Sequence, residues 1–103
     1  MKAHTAESFL TAEDFIREAE KVLLERGEIY DSPTGERSME KTVAIFNLRT
    51  GHNLTEADGW AFMGYLKDVR QDSAGGTHAD SAVDRINYAL LEAEARFRKR
   101  MNT

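Results

Sequence analysis

Lys67 and Arg70 stand one helical turn apart, and Asp80, Asp84 and Tyr88 follow at four-residue intervals beyond the loop "DSAGGTH". A basic pair offers fixed positive charge, and a guanidinium adds bidentate donors that match phosphate oxygens. Two carboxylates are also the hard oxygen ligands that Mg²⁺ takes together with substrate phosphates. The same residues equally suit a structural network. Asp80 would cap a helix, Asp84 would pair with Lys67 or Arg70, and Tyr88 would bury its ring with its hydroxyl at the rim. A phosphate site, a Mg²⁺ site and an ion-pair network are the three readings that the residue types allow.

Each of them needs two helices joined by that loop. The apolar periods predict four helices and no strands. The first is "TAEDFIREAEKVLLERG", opened by Thr11 and Asp14 as a capping box and closed by Gly27. The second spans roughly 38–50, with Met39, Val43, Phe46 and Thr50 on one face and Gly51 as its stop. The third starts at a Thr55 cap with Asp58 and runs to about Gln71. Its apolar residues Trp60, Phe62, Met63, Leu66 and Val69 cover more than one stripe, which predicts a central helix with Leu66 and Val69 turned to the core. The fourth runs over about 81–101, with Val83, Ile86, Leu90, Ala93, Phe97 and Met101 in a row. The expected fold is all-α, a small bundle of about four helices with a long C-terminal helix, in one domain over 1–103 whose residues 1–10 form a flexible segment. An antiparallel third and fourth helix would bring the basic pair and the acidic row face to face. At ~20 residues the last helix is ~30 Å long. Its far end outruns the rest of the chain, which leads us to expect a homo-oligomer, most simply an isologous dimer.

Composition narrows the classes. With 41% hydrophobic and 31% charged residues the chain has an ordinary globular balance. The absence of cysteine removes disulfides and thiolate metal sites and fits a cytoplasmic setting. No apolar run approaches the ~20 residues of a membrane span, and "MKAHTAESFLTAEDF" lacks the shape of a signal peptide. A net charge of -4 argues against duplex nucleic acid as a partner. The basic run "RFRKR" at 96–100 reads as cations opposing a helix dipole. His4, His52 and His78 are too scattered for a zinc site, and no P-loop lysine pattern occurs.

The segments "ERGEIYDSP", "KTVAIFNLRTGHNLTEADGWAFMGYLKDVRQ" and "ADSAVDRINYA" resemble small MazG-like helical proteins of phages and prophages. The shared pattern is an Arg followed by Tyr-Gly, a helix ending near a glycine, a K-x-x-R helix and a D-x-x-x-D-x-x-x-Y helix. It falls on Arg26, Tyr30, Lys67, Arg70, Asp80, Asp84 and Tyr88, with Asp31 where the pattern has glycine. True pyrophosphohydrolases of the MazG type hold Mg²⁺ with an E-x-x-E and an E-x-x-D pair. Here Glu25 and Glu28 have the first spacing, and Asp80 and Asp84 lack the second. The resemblance therefore implies nucleotide binding without hydrolysis, in a bacterial host, by a phage protein that sequesters a messenger of antiphage defence. Mg²⁺ belongs only to the alternative, hydrolytic reading. A module that inhibits a host enzyme is the second alternative. The expected ligand-binding set is Arg26, Tyr30, Trp60, Lys67, Arg70, Asp80, Asp84 and Tyr88, facing a small anionic nucleotide, with no catalytic residue and no cofactor. Trp60, Tyr30 and Tyr88 enter this set as rings that stack on a base.

Overall fold

The computed structural model describes residues 11–30 and 38–101, with the side chains of 27–30 and 99–101 outside the description. These residues form α1 (Ala12–Tyr30), α2 (Ser38–Thr50), α3 (Glu56–Ser73) and α4 (Ala79–Met101). The expectation of a flexible segment at 1–10 falls outside the described residues.

Local chemistry sets the helix ends. Thr11 and Asp14 exchange hydrogen bonds, the Thr11 N–H donating to Asp14 Oδ2 at 3.1 Å and the Asp14 N–H to Thr11 Oγ1 at 3.2 Å. Thr55 and Asp58 make the same reciprocal pair at the start of α3. Gly51, at φ 76°, ends α2 in the left-handed conformation that a glycine takes without steric cost. The side chain of Asn47 then binds both the N–H and the carbonyl of Leu54, each at 2.9 Å, and fixes the turn into α3. Gly27 does not stop α1, which continues to Tyr30. An interior glycine costs a helix only about 1 kcal/mol, too little to end it against favourable neighbours.

The start of α4 also differs from expectation. His78, not Asp80, is the cap: its Nδ1 accepts from the Ser81 N–H at 3.2 Å and contacts Ser81 Oγ at 2.7 Å. Asp80 lies exposed within the first turn of α4. The glycine loop between α3 and α4 is held by Gln71. Its carbonyl accepts from the Gly76 N–H at 2.7 Å, and its side-chain oxygen accepts from the His78 N–H at 2.7 Å.

The four helices form a small bundle whose contacts run in the order α2, α3, α4, α1. α3 and α4 pack antiparallel along most of α3, α1 crosses the first half of α4, and α2 lies on α3. The core is correspondingly thin. Ala19, Val22 and Val83 make its centre, with Phe15 and Ile86 packed on them, and the largest fully buried side chain is Val83. Where α2 meets α3, a Cβ on Gly59 would collide with Met39 Sδ and Val43 Cγ2, so glycine permits that close approach. The expected α4 stripe is buried only at Val83 and partly at Ile86. Leu90 and Phe97 lie beyond the reach of α1 and stand exposed. On α2, Met39 and Val43 face α3, whereas Phe46 and Thr50 are exposed.

The largest correction concerns α3. Leu66 and Val69 do not face the core: they are 38% and 61% exposed. The face against α4 carries Ala57, Gly64 and Lys67, all buried. Small residues there let the helices approach, and the Arg85 guanidinium lies over Gly64 on its way to Asp68, 3.0 Å away.

Candidate functional site

Asp84 is the centre of the polar seam. Its Oδ2 lies 2.9 Å from Lys67 Nζ on α3, and its Oδ1 lies 3.4 Å from the Arg26 guanidinium on α1. Three helices thus meet at one carboxylate. Lys67 and Asp84 are nearly buried, at 10% and 13% side-chain exposure, while Arg26 is 47% exposed. A buried lysine is tolerated only with a partner, because an unpaired charge in a low-dielectric interior is expensive. Two cations against one carboxylate leave this cluster with surplus positive charge in a chain of net charge -4. The Arg26 guanidinium, which carries five N–H donors, is half exposed.

One turn along α4, Asn87 is 3% exposed, and neither its Oδ1 nor its Nδ2 has a hydrogen-bond partner. An orphaned buried amide forfeits its water contacts without return, about 1–3 kcal/mol for the group. Asn87 was not legible as a site residue in the sequence. Its only signal was its place in the Asp84 row, three residues on, where a helix keeps the same face.

Trp60 and Tyr88 stack on one another, with ring centroids 5.8 Å apart and planes 22° from parallel. The two rings meet across the α3–α4 interface. The Trp60 Nε1–H donates to Glu56 Oε2 at 3.2 Å. Arg98, from the far end of α4, reaches Glu56 Oε1 at 2.8 Å and Glu94 at 3.2 Å. The hydrogen bond to Glu56 raises the Arg98 pKa, against the lowering effect of burial. The 96–98 part of the basic run is therefore complemented by Glu92, Glu94 and Glu56 rather than by the helix dipole alone.

The expected site residues thus separate. Arg26, Lys67 and Asp84 converge on one point, and Trp60 and Tyr88 form a stacked pair one turn of α4 away. Arg70 is exposed and forms no ion pair among the described residues. It lies one turn from Lys67 but outside the α3 face that meets α4. Asp80 is exposed in the first turn of α4. The backbone of Tyr30 ends α1, and its side chain lies outside the described residues. Glu25 is exposed, and the side chain of Glu28 is likewise outside the description. Among the described residues no group of three or more His, Asp or Glu is placed to hold a metal ion, and no helix is long and apolar enough to cross a membrane. Comparison of the chain with protein-family models, with curated proteins and with solved structures finds no match.

Proposed function

We propose that this chain binds and sequesters a small anionic nucleotide, without hydrolysing it, in the seam where α1, α3 and α4 meet. The observation that supports it most is the convergence of Arg26 and Lys67, from two helices, on the single carboxylate of Asp84. A net-negative protein repels phosphates over most of its surface, so an anion site needs such local surplus. Arg26, half exposed, is the group that meets the phosphate first. Lys67 supplies charge from behind, and Asp84 orients both. In this reading the ligand is of the cyclic di- or oligonucleotide class used as messengers in antiphage defence, and the setting is the cytoplasm of a phage-infected bacterium.

Calorimetry against cyclic di- and trinucleotides, cyclic ADP-ribose isomers and nucleoside triphosphates tests this. We expect saturable binding to at least one of them, weakened roughly tenfold or more by Arg26→Ala, since a charge-assisted contact contributes about 1.5–3 kcal/mol. Arg70→Ala leaves the affinity unchanged, in line with its place outside the seam. Pyrophosphate release with Mg²⁺ would favour a MazG-like pyrophosphohydrolase instead. A flat response to every compound would remove the nucleotide reading and favour a module that acts on a protein partner.

A further inference from the structure

α3 turns four large apolar side chains to solvent. Phe62 is 69% exposed, Tyr65 58%, Leu66 38% and Val69 61%. Their spacing, i, i+3, i+4 and i+7, is that of one continuous helix stripe. It lies on the side of α3 away from α4. The charged residues between Phe62 and Val69 have partners elsewhere, Lys67 with Asp84 and Asp68 with Arg85, and Asp58 and Asp72 flank the stripe at its two ends.

We propose that a second copy of this chain docks on this stripe, antiparallel about a two-fold axis, to form a homodimer through α3. Three observations favour that occupant. First, the spacing is self-complementary. Read in either direction it is 0, 3, 4, 7, so an antiparallel copy sets position 62 across from 69 and position 65 across from 66, as an isologous contact requires. Second, the area fits. With side chains of ordinary size, aromatic ones near 200 Å², the stripe presents roughly 400 Å² of apolar surface per copy. A standard interface buries about 800 Å² per partner. About 65% of a homodimer interface is apolar, so the stripe supplies most of its apolar centre. Third, the single chain is short of core. Among the described residues the buried apolar side chains are alanines and valines, while Phe46, Phe62, Phe97, Leu48, Leu66 and Leu90 stand exposed. Pairing through α3 gives these helices the second layer that their contact order lacks. This inference does not rest on the ligand reading, because Lys67 and Asp84 use the opposite face of α3.

Light scattering on the full chain over a wide concentration range tests it. The expected mass is twice 11.6 kDa, falling toward the single-chain value on dilution. Phe62→Lys and Val69→Glu, each alone, give the single-chain mass with helicity by circular dichroism retained. Mixing the two variants restores the doubled mass, because the substituted positions lie across from one another. The chain has no cysteine, so Tyr65→Cys reports the axis directly. It forms an oxidised covalent dimer, while Phe97→Cys, equally exposed at the far end of α4, does not. A single-chain mass at every concentration overturns the proposal and leaves the stripe to this chain's own undescribed segments or to another protein. A doubled mass that survives both charged substitutions moves the interface elsewhere and overturns it too. If a charged variant loses its helicity, failure of Tyr65→Cys to cross-link decides against it.

Discussion

On α3, the side packed against α4 carries Ala57, Gly64 and Lys67, whereas the side turned away carries Phe62, Tyr65, Leu66 and Val69. An ordinary amphipathic helix is built the other way round. The contrast separates two demands on one helix. The packed side holds small residues so that two backbones approach, and it admits one charge because Asp84 is there to receive it. The open side keeps the surface that would gain about 25 cal/mol for every Å² of apolar area covered. Its stabilising contribution is unrealised in the single chain. The seam and the stripe are thus two different kinds of surface, one polar and built within the chain, the other apolar and open.

Four variants press on this difference. The strongest is Asp84→Ala. It strands Lys67 in a buried position and should cost about 3–5 kcal/mol of unfolding free energy, measured by urea denaturation. The double variant Lys67→Met with Asp84→Leu is the sharper companion, because replacing both members of a buried pair by apolar side chains of similar size is often neutral for stability. A small loss with Asp84→Ala would mean that the pair is solvated rather than buried. Next is Gly59→Ala, where α2 lies on α3. The new Cβ meets Met39 and Val43, and overpacking of about 1–3 kcal/mol outweighs the helix-propensity gain of about 1 kcal/mol. A net stabilisation in thermal denaturation would show that α2 is free to move away. The smallest effect is expected on the open side. Phe62→Ser changes unfolding of the dilute, dissociated chain by less than about 0.5 kcal/mol, as for an ordinary surface residue. It also abolishes the rise of the melting temperature with protein concentration that a dimer imposes. A large loss at high dilution would mean that Phe62 is packed within the single chain.

Much of the fold was legible from local chemistry. The Thr11–Asp14 and Thr55–Asp58 capping boxes and the glycine stop after α2 follow from a few adjacent residues, and the structure keeps all three. The antiparallel α3–α4 pairing followed from a short loop between two long helices, and with it the approach of Lys67 to Asp84. What periodicity does not reveal is which apolar stripe is covered. α3 has two candidate faces, and hydrophobicity favoured the one with Leu66 and Val69. Packing chose the one with Gly64, because the smaller residues allow the closer contact. Asp80 and His78 show the same limit at finer scale. Either side chain has the chemistry to cap α4, and the choice depends on Gln71 anchoring the loop at His78. Arg70 and Lys67 share a helix and a turn, yet only Lys67 falls on the face buried against α4, because the roughly 100° step of a helix turns Arg70 aside. Asn87 needed the structure outright, since an amide draws notice only when it is both buried and unpartnered.

The most direct test of the account is amide and indole chemical-shift mapping of the full-length chain, titrated with the nucleotide that calorimetry selects. Trp60 is the only tryptophan, so its indole N–H is a single assigned reporter at the seam. Perturbations are expected at Arg26, Lys67, Asp84 and the Trp60 indole, with Phe62, Leu66 and Val69 unmoved. Shifts confined to the exposed stripe of α3, or absent from the seam at saturating ligand, would contradict binding in the seam.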